Sequence, residues 1–360
     1  MKRHSTTLVH SIGGFDKNLR DLSESHKYNP TVRNKTANPV DLDGEDHMKQ
    51  TQYAIEAEDL TRKFGNLVAV DHINFKVQEG ELWGLLGPNG AGKTTTVKML
   101  CGLLTPTDGT AKVEGRDIQK EVGEIRKLIG VCPQEPTVYE RLTGKENVKL
   151  IGQMHKVSKA ELKKKTDELL ERIGLTERAD DQVITYSGGM KRRLDLIMAL
   201  VHDPPILFLD EPTLGLDPAV RRAVWDFILE LKERKKTIVM TTHYMEEADE
   251  LCDRVAIIDY GKIIEEGSPE KLKEKVGRGD RIEMEFSGDA EAAIKQLKRL
   301  KFIKTVAAAE NRLVIVAEAG VLRLGEIIKT TSRAGTVGRT SLSENTLEDV
   351  FLHLTGRRLR

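Results

Sequence analysis

The sequence predicts an α/β core with an antiparallel β flank and an inserted helical lobe, followed by a small α+β unit. Three observations carry that expectation. Leu82–Leu86 is an uninterrupted apolar run that leads straight into a glycine-rich loop and then a helical stretch. Ile206–Leu209 and Thr237–Met240 are apolar on both faces, as central parallel strands are, and the helical stretch Ala219–Lys235 feeds the second of them. Ala54–Ala57 and Ile73–Val77 instead alternate apolar and polar residues, the pattern of a half-exposed antiparallel sheet.

Taken in order, residues 1–52 are rich in His, Asn, Lys, Asp and Ser, with Phe15 and Tyr28 as their aromatics. Too little there is apolar to build a core, so a flexible extension is expected. His4, His10, His26 and His47 are spaced too irregularly to suggest a metal cluster. Glu79-Gly80 reads as a turn. The helix after the glycine-rich loop runs from Lys93 to about Cys101, and Gly109–Gly115 reads as an edge strand. The segment Thr137–Thr185 is helical. Arg141–Met154 has apolar residues at helical spacing, and in Ser158–Ile173 the pair Ser158 and Glu161 is placed as a capping box. Val255–Asp259, Tyr260-Gly261 and Lys262–Glu265 form a hairpin pattern.

After the charged stretch Lys271–Asp280, strands are expected at Arg281–Phe286, Ile303–Ala308 and Leu313–Ala317, the last two joined by a turn centred on Asn311. Helices are expected at Ala290–Leu300 and Val321–Lys329. Thr346–Leu354 closes the chain as an amphipathic helix ahead of Arg357, Arg358 and Arg360. The expected divisions are an extension at 1–52, a core unit at 53–270 with its helical lobe at about 137–190, and an accessory α+β domain at 271–360.

Composition narrows the function classes. Lys plus Arg is 57 and Asp plus Glu is 57, a balance that argues against wholesale coating of nucleic acid, so no direct nucleic-acid partner is expected. No apolar run approaches the roughly 20 residues that a membrane-spanning helix needs. Cys101, Cys132 and Cys252 show no close Cys-x-x-Cys spacing and read as buried, reduced thiols.

Gly87-Pro88-Asn89-Gly90-Ala91-Gly92-Lys93-Thr94 matches the P-loop pattern G-x-x-x-x-G-K-[ST] and sits between an apolar strand and a helix. Glycines let successive backbone N–H groups surround phosphate oxygens. The helix starting near Lys93 aims its unsatisfied N–H groups and dipole at the same anion. Lys93 adds a charge for the β- and γ-phosphates, and Thr94 offers a hydroxyl to Mg²⁺. The whole loop and Thr95 after it are therefore candidate contacts for ATP. Asp210 and Glu211 end the apolar strand Ile206–Leu209, which would hold Asp210 as a Mg²⁺ partner and Glu211 as general base for an attacking water.

With these residues in view, the segment from about Ala54 to Pro269 resembles the nucleotide-binding subunit of an ABC transporter. The motifs occur in that family's order. Gln134, in Cys132-Pro133-Gln134, resembles the Q-loop glutamine, which the family uses at Mg²⁺ or the attacking water. Tyr186-Ser187-Gly188-Gly189-Met190 resembles the LSGGQ segment and departs from its commonest form at the first and last residues. Leu209–Thr213 resembles the Walker B stretch, Gly215–Pro218 the D-loop, and His243 the switch histidine thought to hold the γ-phosphate and orient Glu211. Phe64 resembles the aromatic that stacks on adenine, with Val70 beside it; stacking cares little which base is present, so GTP stays open.

The resemblance implies a P-loop NTPase core of ABC ATPase type, binding ATP and Mg²⁺. It implies a closed head-to-tail pair with a second copy or a homologous ATPase subunit. Each ATP would then lie between the P-loop of one chain and Ser187, Gly188 and Gly189 of the other, with Asp217 touching the partner's site. The segments YSGGMKRRLDL (186–196) and LEDVFLHLTG (347–356) resemble ATPase subunits of ABC-2 type exporters, including daunorubicin-resistance-like drug pumps. Separate transmembrane permease subunits are then the implied partners, with this chain cytoplasmic and peripheral on the inner face of the membrane. The competing reading is a soluble ABC-family ATPase in repair, translation or metal-cluster assembly.

Overall fold

Strands that are apolar on both faces need cover on both, and a six-stranded central sheet has it. The structure is a computed structural model that describes residues 53–276, 279–309, 311–343 and 345–356. The expected N-terminal extension with its four histidines and the basic tail lie outside the described residues. In the central sheet the order is Lys262–Gly267, Arg254–Asp259, Leu82–Leu86, Thr237–Thr242, Ile206–Asp210, Ile129–Cys132. The first pair is the expected antiparallel hairpin, and every other neighbouring pair is parallel.

Successive side chains leave a strand on opposite faces. Leu82, Leu86, Leu207, Leu209, Ile238 and Met240 enter one core, shared with the helical lobe. Trp83, Leu85, Ile206, Phe208 and Val239 enter a second, shared with the antiparallel flank. Phe75 of that flank stacks on Trp83 with ring centroids 4.6 Å apart. The flank has the order Leu67–Gln78, Tyr53–Phe64, Asp108–Val113, Arg116–Asp117. Asp108–Val113, expected at the edge, is paired on both sides, because the chain turns at Glu114-Gly115 and adds the two-residue strand outside it.

Register decides where the loops emerge. Leu86 lies beside Thr242, Asp210 beside Thr241, and Cys132 beside Leu209. Four parallel strands therefore finish along one edge, and the segments beginning at Gly87, Pro133, Glu211 and His243 leave it together. In open α/β sheets this carboxyl edge is where ligand sites form.

The helical lobe contains Gly144–Met154 and Lys159–Arg172. A full capping box starts the first: Thr143 accepts from the Glu146 N–H while the Glu146 carboxylate accepts from the Thr143 N–H. At the second only half of the expected box forms. Ser158 accepts from the Glu161 N–H, but the Glu161 carboxylate pairs with Lys165 at 2.9 Å.

The α+β unit is a four-stranded antiparallel sheet in the order Ile303–Ala309, Arg312–Ala317, Asp280–Gly288, Gly335–Ser343, packed on the helices Ala290–Leu297 and Gly320–Thr331. The strand Gly335–Ser343 escapes sequence reading because it is mostly exposed and polar, without an apolar alternation. The last helix, Leu347–Thr355, leaves this sandwich. Leu347, Val350 and Phe351 share the first core with Ala248, Leu251 and Leu272, so the helix packs on Met245–Leu251 and Pro269–Val276. The apolar i, i+3, i+4 stripe was legible in advance; its destination was not.

Candidate active site

The glycine-rich loop is shaped by close backbone approach. A Cβ on Gly92 would stand 2.4 Å from the Ala69 carbonyl oxygen, and Gly92 has φ +108°, so only glycine fits as the cap of the helix Lys93–Leu100. Gly87 N–H donates to the Thr242 oxygen (3.2 Å) and Gly261 N–H to the Ala91 oxygen (3.0 Å), fastening both ends of the loop to the sheet. Lys93 folds back under it. Its Nζ donates to the carbonyls of Gly87 (2.8 Å) and Pro88 (3.1 Å) and lies 3.2 Å from Glu211 Oε1. Burial pulls the Lys93 ammonium below its usual range, while the charge of Glu211 pushes it back up.

Glu211 is the centre of the cluster. Besides Lys93, its Oε2 accepts from Gln134 Nε2 (3.3 Å) and lies 3.2 Å from His243 Nδ1. The histidine contact is close but poorly aligned, since Nδ1 makes no hydrogen bond. Such contacts often tighten only with substrate in place. The Glu211 backbone has φ +49°, a conformation that costs a non-glycine residue about 1–3 kcal/mol. Its surroundings over-determine it: its N–H donates to Thr241 O and Thr241 Oγ1 (both 3.1 Å), and its carbonyl accepts from Arg192 Nη2 (2.9 Å). At about 0.5–1.5 kcal/mol per hydrogen bond, these offset the strain.

Asp210 Oδ1 accepts from Thr94 Oγ1 (3.2 Å) and from Thr241 Oγ1. The two oxygen donors expected for Mg²⁺, on Thr94 and Asp210, are thus adjacent. They suit a hard cation that keeps several waters and phosphate oxygens among its ligands. Among the described residues there is no group of three or more His, Cys, Asp or Glu side chains that would hold a metal without help.

The structure thus brings together Lys93, Thr94, Gln134, Asp210, Glu211 and His243. Among the described residues no hydrogen bond ties Phe64, Ser187, Gly188, Gly189 or Asp217 to that cluster. Phe64 is 45 % exposed at the end of its strand, with the Arg62 guanidinium 4.6 Å over the ring. Val70, expected beside it, lies on the neighbouring strand opposite Arg62 and is fully buried. Ser187 caps the helix Gly188–Met198 by accepting from the Met190 N–H (3.3 Å), and both Ser187 and Gly188 are exposed. Asp217 is exposed and caps Pro218–Glu233 through Val220 N–H (3.1 Å). Tyr186, one departure from LSGGQ, is buried and donates its hydroxyl to the Arg178 carbonyl (2.6 Å), anchoring the segment to the helical lobe. All three cysteines are free and buried, and burial pushes their thiols well above the usual range.

Sequence reading missed Thr241 and Arg192. Arg192 is buried on the helix after Ser187 and reaches the carbonyls of the loop that carries Gln134 and the loop that carries Glu211. The available signal was two charges, Arg192 and Asp195, one turn apart beside Leu194 and Leu196 on a helix otherwise read by its apolar spacing.

A glycine loop with an inward lysine, at the carboxyl edge of a parallel sheet with two strand-end carboxylates, defines a P-loop nucleoside-triphosphate hydrolase. Comparison with known proteins refines the class. The family described as ABC transporter matches residues 70–214. The linearmycin resistance ATP-binding protein of Bacillus subtilis (strain 168) is 39 % identical over 309 residues, covering 85 % of this chain and 99 % of that one. The daunorubicin/doxorubicin resistance ATP-binding protein of Streptomyces peucetius is 38 % identical over 312 residues, covering 85 % and 94 %. Among solved structures, the ATP-binding subunit of an ABC transporter aligns with TM-score 0.58 and 29 % identity, covering 62 % of this chain and 93 % of that one. An ATP-binding cassette solved as a dimer in a post-hydrolysis state with ADP and Pi aligns with TM-score 0.55 and 27 % identity, covering 59 % and 98 %. The chain belongs to the ATP-binding proteins of ABC transporters, and is an ATP-hydrolysing member related to the ATPases of exporters. Among the described residues no helix is long and apolar enough to cross a membrane.

Proposed function

We propose that this ABC ATPase is the motor of a drug exporter whose membrane-spanning part is a separate polypeptide, and that it works as a head-to-tail pair at the inner face of the membrane. The observation that carries the mechanism is the convergence of Lys93, Gln134 and His243 on one carboxylate, Glu211, within 3.3 Å. The relatives named for linearmycin and daunorubicin resistance support drug export. The dimeric cassette supports pairing, as does the exposure of Ser187, Gly188 and Asp217.

In this reading the P-loop N–H groups, Thr95 and Lys93 hold the β- and γ-phosphates of ATP, and Phe64 stacks on the base. Thr94, Asp210 and Gln134 hold Mg²⁺, which when bound neutralises phosphate charge. Glu211 takes a proton from water as the water oxygen bonds to the γ-phosphorus; the bond to the bridging oxygen breaks and ADP departs. His243 holds the γ-phosphate and orients Glu211. Ser187, Gly188 and Gly189 supply the helix N-terminus that closes on the partner's ATP, with Asp217 beside it. Nucleotide then glues the interface, and hydrolysis releases it.

Glu211→Gln is the deciding variant. It should retain ATP binding, lower turnover by about 10²–10⁴-fold, the usual worth of a general base, and accumulate an ATP-dependent dimer in light scattering. Ordinary turnover by this variant removes Glu211 from the role. Vesicles holding the chain with its co-purified membrane partner should extrude drug with ATP, and lose that extrusion with Glu211→Gln; ATP-independent extrusion rejects the motor.

A further inference from the structure

The helix Gly188–Met198 buries two opposite charges, Arg192 and Asp195. A guanidinium has five N–H donors, and for Arg192 every acceptor is a main-chain carbonyl. Nε donates to Pro212 (2.9 Å), Nη1 to Pro133 and Gln134 (3.3 Å for the latter), and Nη2 to Asp210 (2.6 Å) and Glu211 (2.9 Å). One side chain thereby spans the loop that carries Gln134 and the loop that carries Glu211. Asp195 grips the far end of the first loop. Its Oδ1 accepts from Thr137 N–H (3.2 Å) and Thr137 Oγ1 (2.9 Å), and its Oδ2 from Cys132 Sγ (3.5 Å). Oδ2 also lies 3.8 Å from Arg192 Nη1, so each buried charge offsets part of the other's desolvation.

Neither residue touches the phosphate-facing side chains: Arg192 holds backbone carbonyls, and Asp195 holds the Thr137 N–H together with the Thr137 hydroxyl and the Cys132 thiol. The segment 134–136 between the gripped ends is exposed. Arg192 lies four residues after Gly188, or about 6 Å along a helix rising 1.5 Å per residue, so a shift of the helix N-terminus reaches the guanidinium almost undiminished.

We propose that Arg192 and Asp195 form a buried bracket that positions Gln134 and Glu211 of a chain's own site relative to that chain's Ser187–Gly189 terminus. The terminus serves the partner's nucleotide, so the bracket links closure over one ATP to alignment of the hydrolytic groups around the other. This rests on the roles given above to Glu211, Gln134 and Ser187–Gly189. Arg192 and Asp195 are positioning residues: they set where the reacting groups stand and leave nucleotide affinity to the P-loop.

The test is steady-state ATP turnover of the full chain, with a thermal melt for each variant. Arg192→Lys keeps the charge but cannot span five carbonyls, so kcat should fall by about tenfold or more while KM for ATP stays within about twofold, the split expected when only alignment is lost. Added to Gln134→Ala, it should cost less than it does alone, because both act through one loop. A lowered melting temperature with unchanged kcat per folded molecule, or losses that simply add, overturns the bracket. If Arg192→Lys does not fold, Thr137→Val and Asp195→Asn decide: reduced kcat at constant KM supports the bracket, and unchanged kcat in both overturns it. Glu211→Gln measured alongside separates the failures. Ordinary turnover there overturns the base assignment on which the bracket rests, whereas lost turnover there with ordinary turnover in Arg192→Lys overturns the bracket alone.

Discussion

Two helix N-termini carry the phosphate-binding roles proposed above, and they are finished differently. The one at Lys93 is enclosed: Gly92 is pressed against the Ala69 carbonyl, the loop is hydrogen-bonded to the sheet at both ends, and the lysine that serves it is 4 % exposed. The one at Gly188 is open: it is capped by its own Ser187, and a Cβ on Gly188 would meet nothing within 4 Å. The first terminus has Lys93, the oxygens of Thr94 and Asp210, and the proposed base Glu211 gathered within the same chain. The second has a capped helix start and, among the described residues, no hydrogen bond to that cluster. The difference teaches that an anion receptor can be half of a site, and that in such a half the conformational demand on glycine is replaced by a demand for empty space.

Substitutions at the two termini should break or sharpen that contrast. The largest effect is expected from Gly188→Asp, which places a carboxylate where phosphate is to be received. Turnover should fall by about 100-fold or more, the scale of losing a transition-state donor, with an unaltered thermal melt; ordinary turnover would make the open terminus a mere cap. Next is Lys93→Ala at the enclosed terminus. Loss of a charged hydrogen-bond donor, about 1.5–3 kcal/mol, should weaken ATP binding by about ten- to a hundredfold in a calorimetric titration. The smallest effect is on stability. Gly92→Ala meets the Ala69 carbonyl at a left-handed φ and should cost about 1–3 kcal/mol in denaturant unfolding, whereas Gly188→Ala should leave unfolding unchanged. Equal costs at the two glycines would erase the contrast.

The same contrast bears on what could be read in advance. Lys93 was legible because its glycine loop follows a strand apolar on both faces, and Asp210 and Glu211 because they end another; strand burial is written in local composition. The stripe Leu347, Val350, Phe351 was legible as a helix for the same reason. Gly335–Ser343 was not, because an exposed strand held by backbone pairing leaves no apolar signature. Arg192 was not, because its meaning lies in carbonyls 18 to 59 residues away that only the folded register brings together. Local periodicity reports what is covered; it does not report by what.

The final helix has a practical consequence for the architecture. Because Leu347, Val350 and Phe351 are lodged with Leu251 and Leu272 behind the segment that carries His243, the α+β sandwich is tethered at both ends to the same body. It is an excursion within the chain rather than an appendage after it. A stop codon ahead of residue 346 would therefore skin the ATPase of a structural stave, whereas stitching residue 276 to residue 346 with a short linker is the route to a minimal engine.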